Sequence, residues 1–278
     1  MKKIYIPLVC LLIGGAAFAQ SAKIKLSNGQ KIVVENTTDI QASLAMGMEL
    51  NSNSVSKNDL EVKNSTEKGY TISNSLTKLK VNMNMMGQPN NYDSENKGAN
   101  NAEMAKVFDE RLNKPVDVVV DNTTGAALAG KKKVKKGDTE EANPADDILA
   151  MFTDNSDDAI VSGAFEIIPP GKKAGDSWAD TAVAKDMKTI SMYTLKSVTG
   201  NEAVIQSDIV SNAVNKLNFQ EMEFEIKSET KTKGEITTDI NTGLVSKRTT
   251  VADITGSIQM MGQDMPISAK TTTTNIYK

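Results

Sequence analysis

The chain has 278 residues with 32 basic and 35 acidic side chains, a net charge of −3, no histidine, one cysteine and 14 methionines. Without histidine, and with its only cysteine at position 10, the chain lacks the usual general base near neutral pH, the commonest metal ligand and, past its first residues, any thiolate nucleophile. The acidic balance opposes nucleic-acid binding, and no cofactor or metal is expected.

Residues 1–19 read as an export signal. Lys2 and Lys3 supply the charged start, Ile4 to Ile13 the apolar stretch, and Ala17-Phe18-Ala19 a small-x-small cleavage site before Gln20. The apolar stretch is too short for a permanent anchor, and no other run suffices for a transmembrane segment. Cys10 follows Pro7-Leu8-Val9, which lacks the small residues of a lipidation site. An exported product of residues 20–278 is expected, in the periplasm, on the outer surface or secreted, with no disulfide.

The apolar pattern of Ala22 to Asn36 predicts a hairpin turning at Ser27-Asn28-Gly29, with Ile24 opposite Ile32. Ile40, Ala42, Leu44, Met46, Met48 and Leu50 alternate with mostly polar or small residues and predict one long half-buried strand. Asn51 to Asn58 reads as a polar loop. Leu60-Val62, Tyr70-Ile72 and Val81-Met83-Met85 continue a meander through a turn at Glu67-Lys68-Gly69, and the slip of phase between Leu76 and Leu79 predicts a bulge. A helix follows near residues 101–112, capped by Asn100 with Glu103 three positions on, carrying Met104, Val107, Phe108 and Leu112 on one face and ended by Pro115.

Pro115 to Asp121 predicts a strand and Asn122 to Gly125 a turn. The lysine run Lys131 to Lys136 and the acidic stretch to Asp158 read as a mobile surface insertion (131–158), with a short helix near 144–152. Strands are then predicted at Phe165 to Ile168, Trp178 to Ala182, Thr189 to Val198, Ala203 to Ser211, Phe219 to Lys231, Glu235 to Ile240, Leu244 to Met260 and Met265 to Thr274. A two-residue Gly262-Gln263 loop would pair Met260 with Met265, and Pro266 places that arm at an edge or bulge.

The chain echoes itself. A shift of 214 positions lays Gly29 on Gly243, Ile40 on Ile254 and Met46 on Met260; Met85-Met86-Gly87-Gln88 recurs at Met260, and Asp121-x-x-Thr124-Gly125 recurs at Asp239. The separations differ, which leaves a divergent two-half architecture and a reuse of turn chemistry both open.

Few constellations carry chemistry. Ile40, Leu44, Met46, Met48, Met83, Met85, Ile258, Met260 and Met265 on alternating strand positions form a candidate apolar ligand face, against the plainer role of filling a core short of aromatics. Asp154, Ser156 and Asp158 have the spacing of a calcium loop, but Ala159 replaces the glycine and no acidic residue closes it. Trp178 fits a core anchor better than a ligand platform. No phosphate loop or nucleophile motif is present, so no catalytic residue is assigned and an enzyme is not expected; a carboxylate-dependent hydrolase is the enzymatic alternative.

Tyr92-Asp93-Ser94, Lys114-Pro115-Val116, Gly175-Asp176-Ser177-Trp178, Tyr193-Thr194-Leu195 running to Gly200-Asn201, and the closing Met-Gly-Gln-Asp-Met at 261–265 resemble an uncharacterised domain-of-unknown-function family of secreted proteins met mainly in Bacteroidota. Pro170-Gly171-Lys172-Lys173-Ala174 is more basic than that pattern. The resemblance implies export and β architecture and transfers no catalytic residue. In such a bacterium, Asp180-Thr181-Ala182 is similar to an O-glycosylation acceptor, which would modify Thr181.

One mainly β domain follows: a curved antiparallel sheet, open or half-barrel, with one or two short helices packed on it, similar in outline to LolA-type carriers. A two-sheet sandwich is the second choice. Two functions fit: a non-enzymatic protein that binds a lipid, another apolar ligand or a lipidated partner, or an envelope interaction protein with no ligand cavity.

Overall fold

A computed structural model describes residues 23–44, 47–128, 156–184, 186–219, 222–260 and 263–278. The predicted first arm of the N-terminal hairpin does not form among the described residues. Residues 23–30 run irregularly to a turn in which Gln30 N–H donates to Ser27 O, with Gly29 at φ 79°. Ile24 instead docks on other parts of the chain, donating from N–H to Asn122 O at 2.8 Å.

Eleven strands form one antiparallel sheet: β1 (Lys31–Ser43), β2 (Glu49–Ser65), β3 (Gly69–Met85), β4 (Gln88–Asp93), β5 (Val116–Asp121), β6 (Ser177–Ala184), β7 (Met187–Thr199), β8 (Glu202–Phe219), β9 (Met222–Asp239), β10 (Val245–Met260) and β11 (Gln263–Tyr277). The order is β4-β3-β2-β1-β11-β10-β9-β8-β7-β6, with β5 also on β3, so the sheet does not close and no sandwich forms. The first and last strands meet in its middle, where Val34 faces Tyr277.

One expected loop is strand, and one expected strand is a hairpin. The stretch 40–50 is a hairpin, not one strand: Ser43 pairs with Glu49, and Leu44 N–H bonds Met48 O beside Gly47 at φ 73°. The polar stretch 51–58 is the middle of β2, paired on both sides. Likewise β9 runs unbroken through Gly234. Phe165 to Ile168, expected as a strand, makes only a single bridge, Phe165 to Leu244. The last hairpin closes with Met260 on Gln263 and Ile258 on Met265, two residues out from the predicted register. Pro266 lies past the last β1 pair, Ser43 with Ser268, where the neighbouring strand has ended.

Other expectations stand. The β2–β3 turn falls at 66–69, and the register slips between Lys57 and Asn58, leaving Thr77 unpaired as the bulge. Helix α1 (Ala102–Asp109) is capped by Asn101 rather than Asn100; its side chain accepts from the N–H groups of Glu103 and Met104. A second helix, α2 (Asp157–Ser162), is capped by Ser156, which accepts from Ala159 N–H. The helix predicted at 144–152 and most of the insertion 131–158 lie outside the described residues.

Two apolar clusters line one face. The first joins Leu60 and Val62 of β2 to Leu195 of β7 and Ile205 of β8 through Ile24, Val161, Phe165 and Ile168. Strands β2 and β8 are five strand spacings apart, about 24 Å on a flat sheet. Their side chains share one core because the sheet bends around that filling. The second cluster joins Ile40, Ala42, Leu44, Leu50, Val81, Met83, Tyr92 and Met104, so α1 covers the other end.

Candidate functional site

The sequence-predicted methionine face assembles on the second cluster. Ile40, Leu44 and Met83 are buried, while Met48, Met85 and Ile258 are half-buried and pack against them. Met265 is half-buried beside Ile258 on the neighbouring strand. Met46 and the side chain of Met260 lie outside the described residues. Met104 of α1 is inserted into this cluster, and Phe108 tilts against Tyr92 with ring centroids 5.1 Å apart. Tyr92 is fully buried, and its hydroxyl donates to Asp109 at 2.7 Å. Burial first, and then that carboxylate, push the phenol well above its ordinary pKa. The face is therefore packed rather than open.

Between the two clusters the same face is polar. Asn36 Nδ2 donates to Asn275 Oδ1 at 2.6 Å, Thr38 to Asn36 Oδ1 at 3.1 Å, Asn58 Nδ2 to Asn74 Oδ1 at 3.0 Å, and Asn74 Nδ2 to Asp157 Oδ1 at 2.7 Å. This belt explains why β2 reads as a loop: its inward residues there are Ser52, Ser54, Ser56 and Asn58, and Asn58 bonds Asn74 of β3.

Beside the belt lies a half-buried ion pair that no local sequence signal announces. Arg248 Nη2 of β10 meets Glu166 Oε2 at 3.0 Å and Phe165 O at 3.3 Å. Burial raises the Glu166 carboxyl above its ordinary range, against the opposing pull of Arg248. Tyr193, raised by burial and then by Glu166, stacks on Trp178 at 5.5 Å. Trp178 thus packs against the first cluster, as a core anchor does.

Two grooves stand out among the described residues. The larger, of about 830 Å³, is lined by Val183, Ala184, Met187, Ala213 and Val214, with Asp186, Lys188, Lys227 and Glu229 among its polar residues. A smaller one, of about 460 Å³, is lined mainly by polar residues including Gln41, Glu49, Asp253 and Lys270. Neither draws on the predicted methionines. The larger groove has no sequence signal because its apolar residues come only one or two at a time from β6, β7 and β8. Thr181 is exposed on β6 and takes Asp180 Oδ1 as acceptor for its N–H at 2.8 Å. Asp154 of the calcium-like spacing lies outside the described residues, while Asp158 sits in the first turn of α2. No helix among the described residues is long and apolar enough to cross a membrane.

Fold and grooves define an open antiparallel β-sheet protein with a plugged end, a helix-covered end and an apolar groove on one wing. The model of the family of unknown function DUF6263 matches residues 67–245, and the chain belongs to that family. No curated protein matches the chain. Among solved structures it is similar to one reported as "Lipid-protein interactions in lipovitellin", at 10% identity and a TM-score of 0.50, over 91% of this chain and 25% of that one. The chain thus spans a quarter of that lipovitellin chain, and the likeness is one of fold. The crystal structure of Pseudomonas aeruginosa OccK5 (OpdH) is matched over 91% of this chain and 98% of that one, at 6% identity and a TM-score of 0.24.

Proposed function

We propose that this protein is an exported, non-enzymatic binding protein that holds a single-chain amphiphile in the groove of β6 to β10. The observation that carries this is the groove itself: about 830 Å³, within the size range of small-ligand sites, with exposed Met187 beside Ala184 and Ala213, its partners on the same face of the sheet. Large apolar side chains left open to water in a concave site favour an apolar occupant. Two lysines and two carboxylates share the lining, Lys227 already being paired with Glu225 at 3.0 Å. Balanced charge suits a zwitterionic or uncharged head better than an anionic one. The fold shared with a lipovitellin structure described by its lipid–protein interactions agrees with this reading. The leader and the absence of histidine and mature-chain thiols support export and a non-catalytic role.

The test is titration of residues 20–278 with a fluorescent single-chain phosphocholine below its micelle concentration. Saturable binding is expected, weakened at least about tenfold by Met187→Asp or Ala213→Asp, since a charge placed in an apolar contact costs more than 1.4 kcal/mol. Absence of saturable binding, or affinity indifferent to both substitutions, overturns the proposal. A second reading, an interaction protein, draws on exposed Val183, Ile190, Met192 and Val210 around the β6 edge.

A further inference from the structure

Sheet edges expose main-chain donors and acceptors that recruit another strand unless blocked. Two free sides of this sheet are blocked. On β4, Pro89 interrupts a six-residue strand, Asn101 N–H donates to Asn91 O at 2.8 Å, and Asn100 Oδ1 accepts from Asp93 N–H at 2.8 Å. On β5, Leu128 N–H donates to Val119 O at 2.7 Å and Asp121 N–H to Ala126 O at 2.9 Å. The eight residues of β6 contain no proline, glycine or lysine and a single charge, Asp180, and no strand among the described residues pairs with their outer side. Lys172 reaches the first position, donating to Ser177 O at 2.7 Å.

The bond from Thr181 N–H to the Asp180 side chain shows that this N–H is turned away from β7. In an antiparallel strand N–H and C=O groups alternate in side, so Ala179, Thr181 and Val183 offer theirs outward. We infer that β6 is a self-pairing edge: two copies join β6 to β6 about a two-fold axis at Thr181. Thr181 then faces Thr181, Ala179 faces Val183, Asp180 faces Ala182 and Trp178 faces Ala184. A slip of one residue would turn each inner face onto the other's outer face. A slip of two residues, to a centre at Asp180, would set two carboxylates opposite each other, which is unfavourable. The register at Thr181 avoids both. It also joins the outward residues Val183, Ile190 and Met192 of the two copies into one apolar stripe, the isologous arrangement that two-fold symmetry requires.

Seven paired residues bury less than the ~1,600 Å² of a standard interface, so the dimer is concentration-dependent. Sedimentation velocity of residues 20–278 from about 5 to about 500 μM tests it, the upper limit allowing for a weak interface. A shift from monomer to dimer is expected, abolished by Ala179→Lys with the melting temperature unchanged. Ala179 is exposed and does not line the groove, so Ala179→Lys leaves amphiphile binding intact and separates this inference from the ligand reading. The mature chain has no thiol, so Thr181→Cys gives an intermolecular disulfide on mild oxidation, formed faster than by the exposed control Leu128→Cys. A monomer at every concentration, a dimer that survives Ala179→Lys, or equal cross-linking of the two cysteine variants overturns the inference.

Discussion

Asp121 and Asp239 hold equivalent positions in two turns that contact the same N-terminal segment. Each accepts at Oδ1 from the N–H groups two and three residues on and from the hydroxyl of Thr124 or Thr242, and each turn ends in a glycine at positive φ, 74° at Gly125 and 73° at Gly243. Asn122 O accepts from Ile24 N–H, and Thr242 O from Lys25 N–H. Asp239→Ala is expected to cost about 1–2 kcal/mol through the lost acceptor. Ile24→Asp, which buries a charge in the first cluster, should cost more than that. Urea denaturation with an unchanged slope checks both.

The half-buried Glu166–Arg248 pair gives a pH-dependent prediction. Arg248→Leu strands the Glu166 carboxylate and is expected to cost about 3–5 kcal/mol at neutral pH. Because the folded carboxyl already titrates above its unfolded value, stability falls as pH rises from that unfolded value through the raised one. Without Arg248 the folded carboxyl moves higher still, so the loss in Arg248→Leu should be smaller at pH 5 than at pH 8. Denaturation midpoints of both proteins at the two pH values decide it.

Much of this architecture was legible because strand grammar is local. Thr77 slips the apolar phase and is the bulge, and Glu67-Lys68-Gly69 turns where its residues say it must. The hairpin at Leu44–Met48 was hidden for a physical reason. Its paired positions share parity, so Ile40, Leu44, Met48 and Leu50 keep one alternation straight through the turn, and only Gly47 marks it. The repeated Met-Met-Gly-Gln held a signal for the last hairpin: Met85 pairs with Gln88 around Met86 and Gly87 at φ 54° and 79°, and Met260 pairs with Gln263. The groove was not legible because its lining comes one or two apolar residues at a time from successive strands, and the Glu166–Arg248 pair because 82 residues separate its partners.

Close approach of backbones makes two glycines hard to replace. A methyl on Gly69 would lie 2.1 Å from Val120 O, and one on Gly256 2.2 Å from Lys227 O, both main-chain atoms with little room to yield. Gly69→Ala and Gly256→Ala are each expected to cost about 1–3 kcal/mol or more. Gly98→Ala meets nothing nearer than 4.0 Å and should be neutral or stabilising by about 0.5 kcal/mol. Thermal melts of the three variants give the ranking.

The methionine face separates packing from binding. Leu50 is fully buried and Met83 nearly so, with Met104 of α1 against the same cluster, so Leu50→Ala and Met83→Ala should each cost about 2–5 kcal/mol. Met48→Ala, at a half-buried position, should cost less. Neither Met83 nor Met48 lines the groove, so the phosphocholine affinity of the folded variants should stay within about twofold of the wild type, a change below 0.5 kcal/mol. An open trough would behave the other way: truncation would leave the melting temperature almost unmoved and reduce affinity. Paired denaturation and titration of Met83→Ala therefore tell a filled core from a ligand-lined face in one variant.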